Sequence, residues 1–279
     1  HGSHPKPMTT TRPICALTIA GSDSGGGAGI QADLKTFAAH GVHGLSAIAA
    51  LTAQHTRGVT AVHVPPVDFL RAQIDACFDD FQVGAVKIGM LANARVIRAV
   101  ADALEHHRPA AIVLDPVMVA TSGAKLLEDS ALEALRTRLL PLATVITPNI
   151  PEAELLLGHA IADDEAAEAA LVELLAMGPA SVLLKGGHLP GTGAMVDRFD
   201  DGEALLEFEH PRLEVEGHGT GCTLASAIAA NLCRGLPLRE ACASATDYVH
   251  GALRNASRPG KGAVAVLDHF WRRRAEARA

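Results

Sequence analysis

The chain has 279 residues, of which 48% are hydrophobic, 20% charged and only 3% aromatic, and its formal net charge is −7. This length and composition suit a globular enzyme with an aliphatic core, while the negative charge argues against a nucleic-acid-binding surface. No stretch reaches the roughly 18 unbroken apolar residues of a membrane span. We interpret residues 1–7 as the remnant of an expression tag and residues 8–279 as a single domain.

Short apolar runs of strand type alternate with longer helical segments along the chain. The predicted strands are Ile14–Ala20, Leu45–Ala53, Ala85–Ile88, Ala111–Leu114, Thr144–Ile146 and Ser181–Leu184. The predicted helices are Ile30–His40, Asp68–Asp80, Ala92–His107, Asp129–Leu140, Asp163–Met177, Cys222–Arg234, Leu238–Asn255 and Leu267–Arg278. Because most strands are continuous apolar runs, the pattern predicts an α/β fold with a mainly parallel sheet and helices on both faces.

Two segments depart from this alternation. Met195–Pro211 contains an Asp-Asp-Gly turn between two short runs, which predicts an antiparallel hairpin. Thr56–Pro66 is polar and ends in proline, which indicates a flap at the sheet edge. Ligands of open α/β sheets bind beyond the carboxyl ends of the strands, so the segments that directly follow the strands are the candidate site.

The segment GSDSGGGAG, residues 21–29, follows the first strand and opens a helix. Its five glycines allow a sharp turn and a close approach to a ligand, and amides at a helix N-terminus favour polar or anionic groups. It is neither a Walker A loop nor a complete G-x-G-x-x-G motif, since Ile30 takes the last glycine position. The alternative is a flexible strand–helix turn, but the glycines around Asp23 favour a ligand loop.

A second glycine-rich turn, Gly219-Thr220-Gly221-Cys222, leads straight into a helix of small residues. Its backbone amides predict an anion hole for a phosphate whose negative charge grows during transfer. Cys222 lies in the first helical turn, where the helix dipole is expected to lower the thiol pKa toward neutrality. Cys222 could then accept a proton from an attacking hydroxyl; the alternative is an inert buried thiol.

The other four cysteines are interpreted as inert thiols within strands or helices, namely Cys15, Cys77, Cys233 and Cys242. The number of cysteines is odd and no CxxC pair occurs, so neither a disulfide framework nor a cysteine zinc site is expected. Reduced thiols are typical of a cytoplasmic enzyme, which is the location that we predict.

Polar residues at other strand ends suit a bound nucleotide and metal ion. Asp115, Asn149 and Glu152 offer the hard oxygen ligands that magnesium prefers, and Lys185 is placed to neutralise triphosphate charge. Taken alone, each of these residues could instead be a helix cap or hydrogen-bond within a loop, and Asp115 and Asn149 in particular could both be caps. Only their convergence on one edge of the sheet favours a site.

Taken together, these motifs resemble the ribokinase superfamily, and more narrowly the hydroxymethylpyrimidine/phosphomethylpyrimidine kinases of thiamine biosynthesis. The matching segments cover nearly the whole chain after Arg12: residues 16–37, 51–59, 87–91, 113–118, 146–156, 183–188 and 218–230. The resemblance implies a ribokinase-like three-layer sandwich with a small flap over the substrate site. It also implies ATP and Mg²⁺ as cofactors, a pyrimidine as the small-molecule substrate, and a homodimer.

The resemblance also implies a role for each matching residue. The catalytic set is Cys222 as the base, with Gly219, Thr220 and Gly221 as the anion hole. The substrate set is Gln54 on the aminopyrimidine, with Asp23, Ala28, Thr52 and Met90. The set on the triphosphate side is Lys185 and Asn149 for ATP, with Asp115 and Glu152 for the metal.

The expected activity is two successive phosphorylations, of 4-amino-5-hydroxymethyl-2-methylpyrimidine and then of its monophosphate. One alternative is a pyridoxal kinase on the same scaffold, against which Gln54 argues because its amide can both donate to and accept from an aminopyrimidine. The other alternative is a non-catalytic pyrimidine sensor. The presence of Cys222, Asp115, Glu152 and Lys185 together argues against the sensor.

Overall fold

The computed structural model describes residues 11–119, 128, 130–191 and 193–279, so the interpretation of residues 1–7 lies outside the described residues. The strands are β1 Ile14–Asp23, β2 His43–His55, β3 Gly58–His63, β4 Gln82–Ile88, β5 Ile112–Leu114, β6 Val145–Ile146, β7 Val182–Leu184, β8 Met195–Asp200, β9 Leu205–His210, β10 Gly217–His218 and β11 Ala265–Val266. The first nine form one sheet in the order β3-β2-β1-β4-β5-β6-β7-β8-β9, and β10 pairs with β11. No helix in the described part of the chain is long and apolar enough to cross a membrane.

The sheet is parallel in its centre and antiparallel at both edges. Strands β2, β1, β4, β5, β6 and β7 run parallel to one another. At one edge β3 pairs antiparallel with β2, and at the other β8 and β9 form an antiparallel hairpin next to β7. The predicted mainly parallel α/β fold, the hairpin within Met195–Pro211 and the edge flap within Thr56–Pro66 are therefore confirmed.

Nine helices are described: α1 Gly29–Ala39, α2 Val67–Asp80, α3 Ala94–His107, α4 Ala131–Ala134, α5 Ile150–Leu157, α6 Asp164–Ala176, α7 Thr220–Cys233, α8 Leu238–Arg254 and α9 Trp271–Glu276. Two predictions of helix bounds were wrong. Only Ala131–Ala134 is α-helical in the predicted Asp129–Leu140, since a π turn at 135–139 and a 3₁₀ turn at 140–142 follow; Asp129 lies outside the described residues. The predicted Leu267–Arg278 shortens to α9, because residues 267–270 form an irregular stretch and a turn that follow β11.

Helix α5 was not predicted, although its start carries a helix signal. Asn149 Oδ1 accepts a hydrogen bond from the Glu152 amide at 2.8 Å, and Glu152 Oε1 accepts one from the Asn149 amide at 2.9 Å. This reciprocal pair is a capping box. The alternative reading of Asn149 as a helix cap is thus confirmed, and the residue's side-chain oxygen is already in use.

The sheet separates two hydrophobic cores. Along β1, Leu17 and Ile19 pack toward the core shared with α2, α3, α5 and α6, whereas Ala16 packs toward the core shared with α1, α7 and α8. Strand β4 alternates in the same way, with Val86 in the first core and Ala85 in the second. Side chains alternate along a strand, so the next polar positions on the second face, Thr18 and Lys87, point toward α1 and α7.

Candidate active site

One cavity of about 560 Å³ lies at the carboxyl ends of the parallel strands. Every residue that the sequence placed in the site lines it: Cys222, Gly219, Thr220, Gly221, Gln54, Asp23, Ala28, Thr52, Met90, Lys185, Asn149, Asp115 and Glu152. The topology explains this convergence, because the turns after β1, β2, β4, β5, β6 and β7 all open at the same edge of the sheet.

The glycine loop is organised around the buried Asp23 carboxylate. Its oxygens accept hydrogen bonds from the backbone amides of Gly25 at 2.7 Å, Gly27 at 3.0 Å and Ala28 at 2.9 Å, and from His218 Nε2 at 3.0 Å. Burial opposes ionisation, but these donors, with His218 the strongest, hold the pKa of Asp23 below its ordinary value. The carboxylate is therefore fully engaged within the protein, and it shapes the loop.

The Gln54 side chain is held at the end of β2. Its amide contacts Thr52 Oγ1 at 3.1 Å and His218 Nε2 at 3.4 Å. Thr52 Oγ1 lies within donor distance of both Gln54 Oε1 and the carbonyl oxygen of Ser22, the latter at 2.7 Å, so its single hydroxyl proton serves two acceptors. Met90 is 7% exposed and lines the same cavity.

Gly219 is the residue directly before α7, and its backbone conformation allows the chain to turn into the helix. Its φ is +80°, and a Cβ at this position would overlap the carbonyl oxygen of Gly27. Only glycine fits this left-handed, crowded position without strain. The two glycine-rich turns are therefore packed directly on each other, which brings the N-terminus of α7 next to the N-terminus of α1.

Cys222 lies where these two helix N-termini meet. Its sulfur accepts a hydrogen bond from the backbone amide of Gly29, the first residue of α1. The expected lowering of its pKa was wrong: burial raises the pKa of the Cys222 thiol to about 11, although the charge of Lys87 and the Gly29 amide both oppose the rise. The cost of surrounding a thiolate with protein outweighs the helix dipole and the nearby positive groups, although part of Cys222 stays open to the cavity.

The end of the cavity opposite Gln54 holds two buried carboxylates, Asp115 after β5 and Glu152 in α5. Burial raises the pKa of Asp115 while Lys185 and Lys87 oppose the rise. Burial and then the charge of Asp115 raise the pKa of Glu152 to about 7. Two carboxylates that repel each other in a buried place are the arrangement that a bound cation would relieve.

Lys185 faces the same carboxylates and the α7 turn. A Cβ added at Gly221 would lie 2.9 Å from Lys185 Nζ and 3.2 Å from Asp115 Oδ2. Asn149 forms a parallel bridge with Lys185, so the ends of β6 and β7 are tied side by side. The end of the cavity next to α7 therefore combines positive charge, helix amides and two acids.

Comparisons with known proteins agree with this geometry. A family model described as phosphomethylpyrimidine kinase matches residues 23–267. A hydroxymethylpyrimidine/phosphomethylpyrimidine kinase of Rhizobium meliloti (strain 1021) is 52% identical over 263 residues, which cover 92% of this chain and 98% of the relative. The chain belongs to the phosphomethylpyrimidine kinase family. The predicted resemblance and the predicted kinase activity are confirmed.

Solved structures of kinases share the fold. Phosphomethylpyrimidine kinase from Clostridium difficile 630 is 43% identical, with a TM-score of 0.76 over 85% of this chain and 97% of that chain. A pyridoxal kinase from Staphylococcus aureus, in complex with AMP-PCP and pyridoxal, is 31% identical, with a TM-score of 0.86 over 95% of this chain and 96% of that one. The predicted ribokinase-like fold is confirmed.

Several residues of this kinase site were not singled out from the sequence. His218 stands directly before the Gly-Thr-Gly-Cys turn, so its position was a signal. Asp197 on β8 accepts a hydrogen bond from the Gly186 amide at 2.9 Å and so supports the turn that follows Lys185. Lys87 is fully buried within an apolar strand and also lines the cavity. A lysine inside such a strand signals a buried partner, but the sequence does not name that partner.

Proposed function

We propose that this kinase transfers the γ-phosphate of ATP to the hydroxymethyl group of 4-amino-5-hydroxymethyl-2-methylpyrimidine, and then a second phosphate to the resulting monophosphate. The observation that carries the proposal is the placement of Cys222 between two helix N-termini, in one cavity with Gln54 at one end and Asp115, Glu152 and Lys185 at the other. Family membership supplies the pyrimidine substrate class.

The substrate end is formed by the glycine loop, Thr52, Gln54 and Met90. Gln54 offers both a donor and an acceptor, which is what a ring nitrogen beside an exocyclic amine requires. Asp23 acts on the substrate only through the loop, because its oxygens are occupied by backbone amides and His218. Ala28 gives its amide proton to Asp23, so its own contribution to binding is the surface that it presents to the cavity.

In the first transfer, the substrate hydroxyl gives its proton to the thiolate form of Cys222, and its oxygen forms a bond to the γ-phosphorus as the bond from that phosphorus to the leaving ADP oxygen breaks. The amides of Gly219–Cys222 and the Lys185 ammonium stabilise the negative charge on the transferring group. In the second transfer the nucleophile is a phosphate oxygen that is already largely ionised at neutral pH. Proton removal by Cys222 therefore matters mainly for the first.

The residues present fit a magnesium ion. Magnesium is usually held by one or two carboxylates together with substrate phosphates and water, and Asp115 with Glu152 supplies two carboxylates that repel each other. Within the described residues there is no group of three or more His, Cys, Asp or Glu side chains able to hold a metal alone. When bound, magnesium would neutralise triphosphate charge and orient the γ-phosphate.

The test of this function is a comparison of substrates. ATP turnover with magnesium is measured against the hydroxymethylpyrimidine, its monophosphate, pyridoxal and ribose. We expect turnover with the first two and little with the others. Pyridoxal is included because pyridoxal kinases share this fold, with TM-scores of 0.85 and 0.86. A preference for pyridoxal would replace the pyrimidine assignment. No turnover with any of the four compounds would favour the non-catalytic sensor.

The homodimer and the cytoplasmic location remain proposals. Light scattering coupled to gel filtration tests the first: a mass near twice the chain's 28.9 kDa supports the dimer, and a mass near 28.9 kDa rejects it. All five cysteines are free thiols in the structure, as a reducing compartment requires.

A further inference from the structure

A buried ion pair lies directly behind the catalytic turn. Lys87 Nζ donates to both oxygens of Asp33 at 2.9 Å, and both side chains are 0% exposed. Thr18 Oγ1 donates to Asp33 Oδ2 at 2.7 Å, and Ser226 Oγ donates to Asp33 Oδ1 at 2.6 Å. Four elements, β1, α1, β4 and α7, thus each contribute one polar side chain to a closed network.

The register of the fold places this network beneath Cys222. Thr18 and Lys87 are partners across β1 and β4. Ser226 follows Cys222 by four residues on α7, so the two share one helix face. On α1, Asp33 likewise follows Gly29, whose amide donates to the Cys222 sulfur. Ser226 and Asp33 therefore lie about one helical turn, ~5.4 Å along the helix axes, beyond Cys222 and Gly29.

Stability alone does not explain the pair. Desolvating two charges costs several kcal/mol, and replacing a buried pair with apolar residues is often neutral or stabilising. The position of the pair suggests a role in the active site, since Lys87 lines the same cavity as Cys222. Although burial lowers the pKa of Lys87, Asp33 raises it above its ordinary value, and the Cys222 thiolate raises it further. Lys87 therefore carries a permanent positive charge.

We propose that Lys87, held by Asp33, Thr18 and Ser226, is a positioning residue whose fixed positive charge stabilises the Cys222 thiolate for the first phosphorylation. This rests on the proposed function, because it takes Cys222 as the proton acceptor. The charges that face the thiol are Lys87 from β4, Asp33 from α1, Asp115 after β5 and Lys185 after β7. Of the groups that lower the thiol pKa, Lys87 has the largest effect, and it outweighs the opposing effect of its partner Asp33.

The first readout is the reactivity of the thiol itself. Alkylation of Cys222 by iodoacetamide is followed against pH by peptide mass spectrometry, with Cys77 on α2 as the internal reference. The neutral pair Lys87→Met/Asp33→Asn should raise the pH midpoint of Cys222 alkylation by about one unit, a tenfold loss of thiolate at fixed pH. Lys87→Met alone, which leaves the Asp33 charge behind, should raise it more. The Cys77 midpoint should not change.

The second readout separates a catalytic role from a structural one. The neutral pair should slow the first phosphorylation at least tenfold at fixed pH and leave the second within about threefold. Arg71→Met is the matched control, since it removes a positive charge from α2, on the other side of the sheet, and should change neither readout. Ser226→Ala keeps both charges and serves as the second variant if Lys87→Met fails to fold. Ser226→Ala should raise the pH midpoint of Cys222 alkylation by a smaller amount.

Three results would overturn the proposal. An unchanged midpoint in the neutral pair means that the pair is structural. A raised midpoint with an undiminished first phosphorylation means that thiol ionisation does not limit transfer. Equal slowing of both phosphorylations, with an unchanged midpoint and a lower melting temperature, means that the network holds α7 in place. Failure of the proposed base itself is seen separately, as full first-step activity in Cys222→Ala.

Discussion

The two ends of the cavity each hold a buried aspartate at the end of a parallel strand, and their surroundings differ. Asp23 receives three backbone amides and His218, and its pKa falls. Asp115 is set among Glu152, Lys185 and Lys87, and burial raises its pKa. The Asp23 carboxylate is satisfied by hydrogen bonds from the protein itself, whereas the Asp115 carboxylate is available to a bound ligand. Burial at a strand end therefore does not by itself identify a ligand-binding residue.

Of the two ends, the Asp115 end should show the larger effect on turnover. Asp115→Asn and Glu152→Gln keep shape but remove charge, so turnover of both substrates should fall roughly 10²–10³-fold, and the magnesium concentration for half-maximal rate should rise. Melting temperature without ligand should change little, because each change also removes a buried charge. Steady-state kinetics over a magnesium series, with Asp68→Asn as the exposed control, checks this; a large loss of stability with normal magnesium dependence would make both residues structural.

The pH dependence should separate the two phosphorylations. Below about pH 7 both should slow, because Glu152, with a pKa of about 7, becomes protonated. Above pH 7 only the rate of the first phosphorylation should keep rising. With a thiol pKa of about 11, about one Cys222 in 10⁴ is ionised at pH 7, so kcat/KM for the alcohol should rise about 10²-fold between pH 7 and 9, since kcat/KM reports free-enzyme groups. A flat profile for the alcohol above pH 7 would contradict this.

At the Asp23 end the expected loss is in stability. Asp23→Asn replaces one acceptor oxygen with an NH₂ group that faces donors, which should lower the free energy of unfolding by about 1–3 kcal/mol. Denaturant unfolding without ligand measures it. Asp163→Asn is the control, because aspartate and asparagine cap a helix equally well. An unchanged unfolding free energy with a large loss of pyrimidine binding would make Asp23 a direct ligand.

An effect of similar size, on binding instead of stability, is expected from Gln54. Gln54→Ala should weaken pyrimidine binding by about 1–3 kcal/mol, since the ring's polar partner is left unpaired, with nucleotide binding nearly intact. Calorimetric titration of both ligands checks this, with Gln82→Ala, exposed at the start of β4, as the control. Unchanged pyrimidine affinity would remove the main residue-level argument against pyridoxal.

Much of the fold and of the candidate site is predictable from the sequence, because parallel strands leave a strong pattern. Continuous apolar runs predicted the central strands, and their common carboxyl edge predicted that distant motifs converge. Helix α5 was missed although Asn149-Ile-Pro-Glu152 is a capping-box pattern with proline in the first turn. The same residue types also suit a nucleotide and metal site, so the pattern by itself does not distinguish a helix start from a set of ligands.

Other features depend on information that local sequence does not carry. Lys87 and Asp33 are 54 residues apart and meet only through the pairing of β4 with β1 and the packing of α1. The pKa of Cys222 depends on how much water the folded site excludes, and a helix position does not reveal that. The sequence therefore predicted which residues converge better than it predicted their charge states.

The most direct test of the account is Cys222→Ala, assayed separately from the alcohol and from its monophosphate. General-base help is typically worth about 10²–10⁴-fold, and only the alcohol has a proton that must leave. We expect the first phosphorylation to fall by that factor while the second stays within about threefold, and Cys222→Asp to restore part of the first. Equal losses on both substrates, or no loss on either, would contradict the assignment of Cys222 as the proton acceptor.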